Sequence, residues 1–303
     1  MIGLKISFCR SSPHTRCMSA DQSAPLTEAD AANISGAARE LVSVVQGLTR
    51  AAIGPAGPTE GTVAAAQLAS PIDRQNSDGT SRMYSAHMSI FYSNLAALDH
   101  MSTFIQAVRV KSHGVSLATL CRGAIESFGR SFYLLTATTP IDLLYRHASL
   151  INQDVGRWLQ YNSYVRTDGS AFDMHAHLDE LREMLVELKL PVFDRAASPT
   201  ALATAVLDAA SEQNLGRSAY SQLSAVAHGA STAVVPFLAV DGVAVSIQIP
   251  RAVAFEYTGM IVGTCAVVTE ELIARFGLSI QHRERWHAAQ VRSSAAFDKL
   301  HHS

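Results

Sequence analysis

Charge is scarce in this sequence. Asp, Glu, Lys and Arg make up 17% of 303 residues, against roughly 25% in an ordinary soluble domain. The signs nearly cancel, 24 basic against 26 acidic, for a net charge of −2. That balance argues against a strongly basic nucleic-acid binder, whose surplus of Lys and Arg would form an electrostatic footprint. Cysteine is also scarce: the four are Cys9, Cys17, Cys121 and Cys265. No CxxC or Cys/His zinc spacing joins them, so they read as reduced thiols of a cytoplasmic protein, not a disulfide scaffold. Long apolar runs are missing. The best, residues 257–269 between Glu256 and Glu270, falls short of the roughly 18 residues a membrane span needs and reads as a buried helix. Acid is missing from residues 1–20, which carry Lys5, Arg10 and Arg16. The apolar run there is too short for a signal-peptide core, so the segment reads as a disordered tail, with a transit segment or a start at Met18 as alternatives. GxSxG, P-loop, GxGxxG and HExxH motifs are all lacking, which argues against common hydrolases, NTPases and nicotinamide enzymes and implies no cofactor.

What is present is apolar and helical. Hydrophobic residues make up 48%, enough for one large core or for an oligomer that hides a face. Arginine outnumbers lysine about five to one, as in GC-rich bacterial coding sequences. Apolar spacing and caps predict helices over residues 29–53, 60–69, 81–110, 115–137, 139–165, 172–190, 198–210 and 215–228, the last with Gly229 in the C-terminal capping position. The period then changes. Residues 234–240 and 243–249 flank Asp241-Gly242, a strong short hairpin signal, and Pro236 confines the first run to an edge. A long apolar helix follows over 251–276. The fold expected is all-α, a multi-helix bundle with one C-terminal β-hairpin at 234–249. Residues 1–26 are a disordered tail, 27–280 one domain and 281–303 a polar tail.

Two polar stripes carry the chemistry. Arg122, Glu126, Arg130 and Tyr133 fall within about 80° of one helix face. They form either a solvated ion-pair stripe or the wall of a cleft in which an arginine holds an anionic ligand. Tyr220, Ser224 and His228 repeat at i, i+4, i+8 and form a second stripe. These three are not the usual makings of a solvated face, and all can both donate and accept hydrogen bonds. His228, at a helix C-terminus, suits a general acid/base, a phosphate binder or a helix cap. Asp173, His175 and His177 read as a capped helix start and not as a metal site. Arg82 with His87, and Arg275 with His282, match an Arg-x4–6-His spacing that chance alone produces. His87 and His175 therefore serve as silent controls.

The run 120–128 with Arg122 and Glu126, followed by Tyr220, Leu223, Ser224, His228 and Gly229, resembles bacterial all-helical proteins with Arg-x3-Glu and Tyr-x2-Leu-Ser-x3-His-Gly helices. They are distantly similar to the HEPN superfamily of helical ribonucleases and nucleotide-binding domains of toxin and defence systems. The resemblance covers about residues 81–229. It implies an RNA or nucleotide partner, with Arg122 on phosphate, Glu126 orienting it and His228 as acid/base. The Arg-polar-x3-His pair of those ribonucleases is not matched, since Met83 follows Arg82 and Phe276 follows Arg275. Three readings stand open. The first is a non-catalytic interaction or regulatory module whose buried Arg–Glu–His/Tyr/Ser network is a ligand or partner site. The second is a HEPN-like RNA- or nucleotide-acting enzyme with His228, Arg122 and Glu126 catalytic and Arg130, Tyr133, Tyr220 and Ser224 binding. The third is a small-molecule enzyme with an interhelical pocket lined by Tyr133, Tyr145, His147 and the two stripes. A homodimer is compatible with all three.

Overall fold

The computed structural model describes residues 24–54, 57–111, 114–158, 164–165, 169, 171–192, 197–211 and 214–301. The described chain is all-α with a C-terminal hairpin. Its helices are α1 (Glu28–Ala52), α2 (Val63–Leu68), α3 (Arg82–Arg109), α4 (Gly114–Leu135), α5 (Pro140–Trp158), α6 (Met174–Glu187), α7 (Pro199–Ala210), α8 (Gly216–Ala227), α9 (Ser231–Val234), α10 (Arg251–Phe276) and α11 (Ile280–His301). Local chemistry fixes their starts. Thr27 and Asp30 form a capping box on α1, and Ser81, Asp173 and Ser198 cap α3, α6 and α7 through their side chains.

α4 is the hub. Its apolar face, Leu117, Cys121, Ala124, Ile125 and Phe128, is buried, and α3, α10, α7, α8 and α5 all pack around it. α7 comes very close because Gly129 has no side chain: a Cβ there would lie 2.7 Å from the Leu202 carbonyl. That approach draws in α8, which packs on both α4 and α7. α10 is long and apolar enough to cross a membrane, but 67% of its most apolar stretch is buried inside the fold. The bundle itself covers that apolarity. Cys121 and Cys265 are buried free thiols, and burial pushes the Cys265 thiol up to about 12.

Four sequence expectations need correction. Residues 24–26 are not tail: Leu26 is buried, its N–H donates to the Ile249 carbonyl at 2.9 Å, and Pro25 bridges Pro250. Residues 281–301 are not tail either. α11 packs on α1, burying Trp286, Ala289 and Ser293, and the Trp286 indole donates to Glu270 Oε1 at 2.6 Å. One buried tryptophan and small residues at helical spacing suffice to dock a helix whose composition is polar. α5 stops at Trp158; Tyr164–Val165 (β1) pairs with Ala171–Phe172 (β2) in a second small hairpin. The C-terminal hairpin is shorter than expected, Leu238–Asp241 (β3) with Ala244–Ile247 (β4), because Pro236 sits in a 3-10 turn, Val235–Phe237, that follows α9.

Candidate functional site

The packing of α8 on α4 brings the two sequence stripes together. Arg122 and Glu126, one turn apart on the flank of α4, face Tyr220 and His228 of α8. Arg122 Nε donates to Glu126 Oε1 at 2.6 Å, and Tyr220 Oη donates to the same oxygen at 2.5 Å. Arg122 Nη1 lies 2.9 Å from His228 Nε2. A guanidinium can only donate, so His228 accepts through Nε2 and carries its ring proton on Nδ1. The Arg122 guanidinium also stands 5.6 Å from the centre of the Tyr220 ring. The result is a continuous relay, Tyr220–Glu126–Arg122–His228.

The relay is buried at one end and open at the other. Tyr220 is buried, the Arg122 and Glu126 side chains are about a quarter exposed at 25% and 29%, and His228 is exposed. The network is therefore not the buried one expected; its outer end opens to solvent. The backbone explains why. His228 caps the C-terminus of α8, and Gly229 follows with φ of 71°, turning the chain away and leaving the ring uncovered. Burial raises the Tyr220 hydroxyl above its ordinary range, as does its bond to Glu126, while Arg122 opposes both. Burial pulls Arg122 down, but the bond and charge of Glu126 outweigh it and hold the guanidinium above its usual value. Both groups thus keep their protons: Tyr220 as a fixed donor, Arg122 as a fixed cation.

The other expected site residues go elsewhere. Ser224 is half-buried one turn before His228, and its hydroxyl has no hydrogen bond among the described residues. Arg130 and Tyr133, on the same stripe as Arg122, are claimed by α5. Arg130 makes a two-pronged ion pair with Asp154, and Tyr133 lies 4.8 Å under the Arg146 guanidinium. Arg146 in turn bonds Asp142 at 2.8 Å and the Tyr133 carbonyl at 2.6 Å. Asp142 and Arg146, four apart, were readable in sequence. Asp154 opposite Arg130 was not, since no local spacing connects them.

Of the residues expected to line one interhelical pocket with the two stripes, Tyr133 packs under Arg146 and His147 faces a different cleft. His147 lines a small separate cleft with Asn76, Arg82, Ser85 and His177. Asp173 caps α6, accepting from the His175 and Ala176 N–H groups at 2.9 and 3.0 Å, and no group of three metal-ligating side chains occurs among the described residues. His87 is no silent control. It is buried, pairs with Gln67 Oε1 at 3.0 Å and meets the Phe276 ring edge-on at 5.3 Å. Arg82 pairs instead with Glu187 at 3.3 Å, so that Arg-x4-His spacing forms no site.

No protein-family model matches the chain, and neither a curated protein nor a solved structure matches it. The site is defined by its own geometry, a half-buried polar relay on an all-helical body ending in an exposed histidine.

Proposed function

We propose that the Tyr220–Glu126–Arg122–His228 relay is the ligand- or partner-binding site of a non-catalytic interaction or regulatory module. The chemistry it fits is an acidic or acceptor-rich group. Among the described residues Arg122 keeps guanidinium N–H groups uncommitted after bonding Glu126 and His228, and the exposed His228 ring offers its Nδ1–H as a further donor. The observation that carries this is the 2.9 Å contact between Arg122 and the exposed His228. Surface ion pairs stabilise a fold by only about 0–1 kcal/mol, so an aligned surface relay gives orientation more than stability.

The same contact favours a second reading, an RNA- or nucleotide-acting enzyme of HEPN-like type. The Nε2 lone pair of His228 is held by Arg122, so in this reading a bound phosphate draws Arg122 onto itself, freeing His228 as a base beside a stabiliser of developing negative charge. One experiment separates the two. Inorganic phosphate, AMP, citrate and a short single-stranded RNA are titrated into the wild type and into Arg122→Ala and His228→Ala, following melting temperature and the integrity of the RNA. At least one probe raises the wild-type melting temperature and neither variant's. Intact RNA throughout supports the module, and RNA cleaved by wild type but not by His228→Ala supports the enzyme. Equal responses of all three proteins to every probe overturn both.

A further inference from the structure

Summed over its four members, the relay has no net charge while His228 is neutral. Arg122 is a cation, and the carboxylate that cancels it, Glu126, is already bonded to it at 2.6 Å. Tyr220 donates to that carboxylate and keeps its proton. His228 accepts from Arg122 through Nε2 and is therefore a neutral ring. An anion arriving at Arg122 thus meets a cation that is already matched, and one negative charge is left over.

We propose that the relay is a proton-coupled anion site: an oxyanion that binds Arg122 displaces the His228 contact, and His228 Nε2 takes up one proton from solvent as it does so. The inference rests on the reading of the relay as a binding site and adds what sets its affinity. Three observations carry it. The first is donor chemistry. An imidazolium has no acceptor, so the 2.9 Å Arg122–His228 contact and a proton on Nε2 exclude one another. The second is the count of charges. Once His228 is protonated, two cations stand against Glu126, and a bound oxyanion takes the surplus positive charge in charge-assisted hydrogen bonds. The third is place. His228 is exposed at the C-terminus of α8, where water and the helix carbonyls both favour a cation. Few other charges face it. α8 packs chiefly on α4, α7 and α9. On α4 the facing charges are Arg122 and Glu126, since Arg130 is held by Asp154. α9 carries no charged residue. The one on α7, Asp208, accepts from the Gly216 N–H at 2.7 Å, at the far end of α8. Arg217 of α8 itself lies about three turns back.

The test is calorimetric titration of inorganic sulfate, which stays a dianion throughout, into the full-length chain between pH 5.5 and pH 8. Buffers of different ionisation heat count the protons taken up. The buried His87 and His147, held by burial at a pKa of about 4, stay neutral over this range. The bound state carries one proton more than the free state, so wild-type affinity falls as pH rises. The fall approaches about tenfold per pH unit on the alkaline side of the histidine titration, with uptake approaching one proton per anion. His228→Lys, a fixed cation, binds at pH 8 about as tightly as wild type at pH 5.5 and takes up no proton. His228→Gln binds weakly at every pH. His100→Gln, at a ring that lies against Gly123 of α4, keeps the wild-type profile. AMP run beside sulfate at pH 7.5 tells the source of the oxyanion: tighter binding assigns it to a nucleotide, equal binding to a free anion, and proton uptake with either supports the coupling. Sulfate that binds wild type equally at every pH, without proton uptake, overturns the coupling and leaves the binding site standing. Uptake that persists in His228→Gln overturns it too. No sulfate binding at any pH, or binding that Arg122→Ala retains, overturns both the coupling and the site.

Discussion

Arg122 and Arg275 lie on helices that touch, α4 and α10, and each guanidinium bonds two partners. They do opposite things. Arg275 is buried and gives its N–H groups to two backbone carbonyls at the C-terminal end of α4, those of Leu135 and of Ala137, the latter at 2.6 Å. Those carbonyls have no partner within their own helix, so Arg275 closes the helix that carries the site. Burial holds its pKa down at about 10, and it remains a cation at neutral pH. Arg122 gives its N–H groups to side chains, Glu126 and His228, and the second of these faces water. Backbone partners cannot move away; exposed side chains can, and can be shared with a ligand. The partner, not the arginine, decides which residue is structure and which is site.

The largest expected effect tests that contrast directly. Arg275→Ala strands two buried carbonyls and opens a cavity, for a loss of about 3–5 kcal/mol. For a chain this long that is a fall of roughly ten degrees in melting temperature. Arg122→Ala costs no more than about 1 kcal/mol, because its partners fall back on water. Differential scanning calorimetry of the two variants checks this, and comparable losses would erase the distinction.

The histidines repeat the comparison at intermediate size. His147 is buried with its Nδ1 unpartnered, and burial, then the nearby His177, lowers its pKa to about 4; His228 is exposed and accepts from Arg122. Because the folded pKa of His147 lies below the unfolded value near 6.5, the stability it confers as a neutral ring is fully present above that pH. It is lost as pH falls toward 4, by up to about 3 kcal/mol. Urea titrations at intervals between pH 7 and pH 4 show the decline, and His147→Leu flattens part of it. His87, with a pKa of about 4 for the same reason of burial followed by the charge of Arg275, accounts for a further part. A slope unchanged in His147→Leu would mean that this ring is not the neutral buried group described.

Much of this was legible in the sequence. Helix positions followed from apolar spacing and caps because both are local. Tyr220 and His228 of the relay were legible too, since they are out of place at helical spacing on a solvated face, although Ser224 of the same stripe takes no part. Which stripe residues would meet was not. Arg122 and Arg130 lie on the same arc of α4, yet α8 takes one and α5 the other. An arc specifies a direction, whereas the neighbour in that direction depends on packing over long separations, here on the missing side chain of Gly129. α11 was hidden by its polar composition, and the buried role of His87 by a spacing that looked accidental in sequence.

The smallest predicted effect is the sharpest on the relay itself. Tyr220→Phe keeps the buried ring and removes one hydroxyl. Glu126 Oε1 then loses the donor at 2.5 Å but keeps Arg122 at 2.6 Å, so the carboxylate is still paired and stability falls by about 1 kcal/mol or less. What changes is orientation. Without Tyr220 to hold one side of Glu126, the carboxylate and Arg122 swing together, and the 2.9 Å contact to His228 loosens. The His228 ring resonances, followed by NMR in wild type and Tyr220→Phe, should therefore shift even though residue 220 does not touch the ring in any hydrogen bond. Unchanged His228 resonances would show that Arg122 is positioned by α4 alone, and the relay would shrink to an Arg–His pair with Tyr220 as ordinary core.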